Sequence, residues 1–187
     1  MNLKWAEGAM KVMTVLFMLL ILVLWVMRSA NASELPSVGQ KAPEFSIMDQ
    51  NGTLQKLSDY QGKWLVLYFY PKDETPGCTT EACAYRDDIH KIQTLGAAVV
   101  GVSIDDASSH AEFADKHHLP FPLLADKEGT VSKSYGSERT LLGYKLARRN
   151  TFIIDPAGRI AKVYVDVDAG ENPQEVIAEL RRLQSMH

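Results

Sequence analysis

Two cysteines, Cys78 and Cys83, are the only thiols in the chain. Around them the apolar positions 78, 82, 85, 89 and 92 alternate gaps of four and three, which predicts one face of a helix with Cys78 in its first turn. A thiol there has chemistry available to it, because the thiolate is the nucleophile and the first turn of a helix presents free N–H groups and the positive end of the dipole. Shifting any thiol's ionisation by two units takes about 2.7 kcal/mol. The dipole supplies about 0.3–1 kcal/mol, and about 2 when partly buried. A cation must therefore come from elsewhere in the fold. Arg149, two residues before the apolar run Thr151-Phe152-Ile153-Ile154, is the candidate, with Arg148 beside it as an ordinary loop charge.

Cys83 lies five residues beyond Cys78. On an intact helix their Cα atoms would be roughly 8.7 Å apart, beyond the limit of about 7 Å for a disulfide. A bond between them therefore requires the first turns to unwind, and a strained bond of that kind is labile. A static structural disulfide is the competing reading for a protein outside the cytoplasm. Glu81, in the first turns, suits the dipole as a carboxylate. Asp73 and Glu74 read as solvated loop charges. Thr75 reads as a turn or cap residue.

The elements that must position these groups follow from pattern. Trp64 to Tyr70 is a continuous apolar run, the mark of a strand buried on both faces, and Pro71 ends it. Turn residues as far as Pro76-Gly77 then lead into the helix, which Gly96 terminates. Ala97 to Ile104 is a second buried strand, Asp105 to His118 a helix, Phe121 to Ala125 a short strand near an edge, and Gly129 to Tyr135 a short helix. Thr151–Ile154 and Ile160–Asp166 form a hairpin around Asp155 to Gly158, and Asn51-Gly52 signals a two-residue hairpin earlier. Asn172-Pro173-Gln174-Glu175 combines an N-cap, a proline at the first helical position and a capping-box carboxylate. Alternating strands and helices predict an α/β sandwich with a central mixed sheet flanked by helices.

At the other end of the chain, residues 12–27 are apolar except for Thr14, follow Lys4 and Lys11, and precede Ala30-Asn31-Ala32. The pattern predicts residues 1–32 as an N-terminal hydrophobic leader, a cleaved signal peptide or a membrane anchor, with residues 35–187 as one domain outside the cytoplasm. Cleavage after Ala32 into a periplasmic protein is the favoured outcome; otherwise the only membrane contact is through residues 12–27. The leader carries +2 of the chain's net −3, so the remainder is acidic, which argues against nucleic-acid partners. The histidines (His90, His110, His117, His118, His187) show no metal-ligand spacing, and there is no glycine-rich phosphate loop, so no metal and no cofactor are expected.

Pro71-Lys72-Asp73-Glu74-Thr75-Pro76-Gly77-Cys78 matches the Pro-xxx-Thr-xx-Cys signature of peroxiredoxins. Continued through Cys83, it resembles the peroxiredoxin Q (bacterioferritin comigratory protein) group. The resemblance extends through 101–105, 121–126 and 149–155 and covers about residues 35 to 185. It implies a thioredoxin fold of peroxiredoxin type and a thiol peroxidase acting on hydrogen peroxide and organic hydroperoxides. It also implies Cys78 as the peroxidatic cysteine and Cys83 as the resolving one, with a thioredoxin-like reductant as partner and a monomer or weak dimer as the assembly. The Cys78 N–H, the Thr75 hydroxyl and Arg149 would stabilise developing charge, Pro71 would shield the thiolate, and Glu81 would orient Arg149. Two rivals are an exported thiol–disulfide oxidoreductase, which normally carries Cys-x-x-Cys, and a non-catalytic binding module with a structural disulfide. The segment from Gly136 to Arg148 matches no motif of the family and is expected to shape access for bulky peroxides.

Overall fold

The computed structural model describes residues 13–14, 17–18 and 34–186. The chain divides into two units, residues 1–32 and 33–187, and the predicted leader falls almost wholly outside the described residues. Among the described residues no helix is long and apolar enough to cross a membrane.

A small antiparallel pair, β1 (Ser46–Met48) and β2 (Leu54–Lys56), opens the domain, followed by a 3-10 turn at Leu57–Tyr60. The chain continues through β3 (Trp64–Phe69), α1 (Pro76–Asp87), α2 (Ile89–Thr94), β4 (Ala97–Ser103), α3 (Ala107–His117) and β5 (Leu123–Ala125). It ends with α4 (Thr130–Ser134), β6 (Glu138–Leu141), β7 (Tyr144–Ala147), β8 (Asn150–Ile154), β9 (Ile160–Tyr164) and α5 (Asn172–Gln184). Five strands form the central sheet in the order β5-β4-β3-β8-β9. β3 lies in the middle, parallel to β4 and antiparallel to β8, so the sheet is mixed as expected.

The β3 run is apolar throughout because both of its faces are covered. Val66 and Tyr68, with Tyr70 just beyond, enter one core with Tyr85, Phe113 and Val176 from α1, α3 and α5. Leu65, Leu67 and Phe69 enter the other with Phe45, Val131 and Tyr135. Period-two alternation thus sends successive side chains into different layers.

Three local expectations are corrected. The helix expected to run on to Gly96 breaks at Asp88 (φ −100°, ψ 6°), whose carboxylate takes a hydrogen bond from Lys91 at 2.6 Å and another from Gln174 of α5. The early hairpin has three residues, Gln50 to Gly52, between the paired Asp49 and Thr53, rather than a two-residue turn. Asn172 is not the N-cap, a position taken by Glu171. Its side chain is buried, and its Oδ1 accepts from Tyr85 (2.9 Å) and Thr151 (2.7 Å), tying α1 and β8 to α5.

Candidate active site

Cys78 is the third residue of α1, and only 1% of it is exposed. β3 ends at Phe69, Pro71 prevents its continuation, and residues 71–75 form the loop that leads into α1. Thr75 occupies the N-cap position with extended backbone (φ −80°, ψ 146°), and its carbonyl receives the Thr79 N–H at 2.9 Å. Its hydroxyl does not cap the helix. It donates to the Lys72 carbonyl at 2.9 Å, so its proton is engaged and its lone pairs remain for an incoming O–H.

Arg149 sits in the link between β7 and β8, where its carbonyl accepts the Val167 N–H at 3.0 Å. Its Nη2 donates to the Cys78 sulfur at 3.3 Å while Nη1 holds Glu81 Oε2. Gly77 leaves room for this, since a Cβ there would lie 3.1 Å from Arg149 Nη2. Arg148 lies on the surface, 3.9 Å from Asp166. The choice between the two arginines is therefore made by geometry. Burial works against the Arg149 cation, but the negative charge of Glu81 and the Cys78 sulfur outweigh it and hold its pKa above the ordinary value.

Glu81 is fully buried one turn beyond Cys78. Burial raises its carboxyl to about 7; Arg149 opposes the shift and Asp168 adds to it. Its Oε1, like the Tyr68 hydroxyl, is buried without a hydrogen-bond partner. Cys83 is partly exposed further along the same unbroken helix, and both cysteines are free thiols.

Asp73 contradicts its reading as a solvated loop charge. It is 3% exposed and accepts from Tyr70 Oη (2.8 Å) and Ser109 Oγ (2.7 Å), with His110 Nδ1 at 2.8 Å. His110 Nε2 lies 3.1 Å from the Leu124 carbonyl. Both ring nitrogens thus face acceptors. Burial pushes the Asp73 carboxyl up, but the hydrogen bond and charge of His110, with Ser109 and Tyr70, bring it below its usual value. The network pins the loop carrying Pro71 and Thr75 to α3. Nothing in the local sequence signalled it, since Ser109 and His110 lie more than thirty residues away.

The segment 138–147 is a hairpin, β6 against β7, turned at Leu142 and Gly143 with positive φ (51° and 84°). Its Leu141, Leu142, Tyr144 and Leu146 line, with Pro71 and Ile104, a largely apolar groove of about 480 Å³ beside the Cys78 loop. Among the described residues no group of histidine, cysteine and carboxylate side chains is arranged to hold a metal.

A cysteine at a helix start, gripped by an arginine from the link that leads into a neighbouring strand of a mixed sheet, defines a thiol-redox protein on a thioredoxin-type fold. The chain matches the AhpC/TSA family over residues 38–163 and belongs to it, within the peroxiredoxin Q and Bcp branch. It is 42% identical over 153 residues to peroxiredoxin Bcp of Bacillus subtilis, covering 77% of this chain and 94% of that one. It is 44% identical over 151 residues to chloroplastic peroxiredoxin Q of Oryza sativa subsp. japonica, covering 80% and 68%. Among solved structures it resembles PrxQ of Xylella fastidiosa (TM-score 0.76, 32% identity, 81% and 99% covered). It also resembles peroxidoxin BcpB of Mycobacterium tuberculosis (TM-score 0.74, 35% identity, 79% and 97% covered).

Proposed function

We propose that the protein is a thiol peroxidase that reduces hydrogen peroxide and organic hydroperoxides, with Cys78 as nucleophile, Cys83 as resolving cysteine and a thioredoxin-like dithiol as electron donor. The observation that carries the site assignment is the contact of Arg149 with the sulfur of Cys78 at 3.3 Å. The Cys78 thiolate attacks the near oxygen of the peroxide, the S–O bond of a sulfenic acid forms as the O–O bond breaks, and hydroxide or alkoxide leaves, taking up a proton from water to become water or alcohol. Arg149 and the α1 N-terminus face the charge that shifts during this step. Thr75 accepts the hydroperoxide O–H, Pro71 screens the sulfur from water, and Glu81 orients Arg149. Cys83 then condenses with the Cys78 sulfenic acid, releasing water, once the first turns of α1 unwind. The Tyr85–Asn172 hydrogen bond anchors the helix beyond Cys83, so unwinding is confined to the part that needs it. The apolar groove beside Pro71 suits organic hydroperoxides.

Peroxide consumption coupled to a thioredoxin and its reductase, with hydrogen peroxide and with cumene hydroperoxide, tests this. Saturable turnover of both is expected. A fully reduced protein that consumes neither overturns it. The leader's lysines, apolar run and Ala30-Asn31-Ala32 further support export as a periplasmic or membrane-anchored protein. Alkaline phosphatase fused after Gln40 should then be active in bacterial cells, and an inactive fusion would oppose export.

A further inference from the structure

A second cluster converges on Cys83 from three elements. His117, the last residue of α3, places its Nδ1 4.0 Å from the Cys83 sulfur. Its Nε2 is shut off from solvent without a hydrogen-bond partner and lies 3.5 Å from Glu74 Oε1. Phe113, one turn earlier, holds the ring edge-on with centroids 5.0 Å apart. The His117 carbonyl accepts from Arg86 Nη1 at 2.7 Å, which ties the end of α3 to the helix that carries Cys83. The charged groups around the pair are Glu74 from the 71–75 loop, Lys116 from α3, paired with Glu74, and Arg86 from α1, paired with Asp87. Glu74 holds a left-handed backbone (φ 60°) without being a glycine, in the same loop as Pro71 and Thr75.

We propose that His117 is the base that deprotonates Cys83 for the resolving step, with Glu74 orienting its ring. The proposal rests on Cys83 being the resolving cysteine. A neutral ring that keeps its proton on Nε2, towards Glu74, turns the Nδ1 lone pair towards the thiol. Transfer of the thiol proton to Nδ1 leaves an imidazolium between the Glu74 carboxylate and the Cys83 thiolate. It also sits at a helix C-terminus, whose dipole favours a cation. Unwinding of α1 then delivers a thiolate rather than a thiol. Its sulfur attacks the sulfur of Cys78–SOH, the S–S bond forms, the S–O bond breaks, and the departing hydroxide takes up a proton and leaves as water. Without a base, a free thiol of pKa about 8.5 is only about 3% thiolate at neutral pH.

The test mixes the reduced full-length protein with one equivalent of hydrogen peroxide. The reaction is quenched with an alkylating agent over time, and Cys78 sulfenic acid and the Cys78–Cys83 disulfide are followed by mass spectrometry. His117→Asn keeps a polar side chain near the sulfur but is no base. It should form sulfenic acid at the unmodified rate and the disulfide about 10–30-fold more slowly at about pH 7. The gap should close toward about pH 9 as water deprotonates the thiol, and sulfinic acid should build up at lower peroxide excess. An unchanged disulfide rate at about pH 7 overturns the proposal. So does a deficit that persists undiminished at about pH 9, which marks a merely structural role. An unmodified protein that forms sulfenic acid but never the Cys78–Cys83 disulfide refutes the underlying reading, and the proposal with it.

Discussion

Replacing Glu81 with glutamine should alter how stability depends on pH, in a direction and amount set by where the carboxyl is buried. Glu81 is fully buried, one oxygen held by Arg149 and the other without a partner. Burial raises its pKa from 4.5 to about 7, against the pull of Arg149 and with a small push from Asp168. Because the folded value lies above the unfolded one, folding favours the protonated acid. The stability this provides is complete below the unfolded value of 4.5 and is lost as pH rises through about 7. The gap is worth about 3 kcal/mol. Glutamine keeps the shape and an oxygen for Arg149 but cannot ionise. The stability of Glu81→Gln minus that of the unmodified protein should therefore increase by about 3 kcal/mol from about pH 4 to about pH 8. Urea unfolding of the phosphine-reduced proteins, followed by circular dichroism and extrapolated linearly, measures this difference and cancels every other titrating group. A difference that is flat in pH, or that falls as pH rises, would refute the reasoning.

Gly77→Ala should separate the site from the fold. The new methyl would lie 3.1 Å from Arg149 Nη2, so the guanidinium must give by a few tenths of an ångström, which disturbs its contact with the sulfur. The rate of reaction with peroxide should fall about tenfold, while stability rises by at most about 1 kcal/mol from the better helix former; an unchanged rate would contradict the role given to Arg149. Asp73→Asn breaks the buried pair with His110 and should cost about 3–5 kcal/mol at about pH 7 in urea unfolding. Because the Asp73 pKa is depressed on folding, its contribution is present above the ordinary value of 3.8 and is lost as pH falls through the folded value. The cost should therefore shrink in acid, and a cost independent of pH would rule out the ion pair.

What the sequence disclosed was what depends on local pattern. The Trp64–Tyr70 run betrayed a central strand because a chain covered on both faces can carry no polar alternation, and the spacing 78, 82, 85 betrayed the helix because its inward face has to be apolar. Cys78 was legible as a consequence of both. Arg149 and Arg148 were indistinguishable by type, and only the path from β7 into β8 turns one inward and the other to the surface. Asp73 was misjudged because a carboxylate in a turn is usually solvated, and its partners Ser109 and His110 arrive from a helix beyond the next strand. The Glu138–Ala147 hairpin carried no asparagine or aspartate at its turn, and Leu142 takes up the left-handed conformation that such residues normally signal. Asn172 resembled a cap by type and position, yet its amide is used to join three elements.

The most direct test of the central claim is a single turnover by the fully reduced protein, with Cys78→Ser and Cys83→Ser alongside, each mixed with one equivalent of hydrogen peroxide. The unmodified protein should consume the peroxide and form the Cys78–Cys83 disulfide. Cys83→Ser should consume it equally and stop with a sulfenic acid on Cys78, and Cys78→Ser should consume none. Consumption by Cys78→Ser at the unmodified rate would contradict the account.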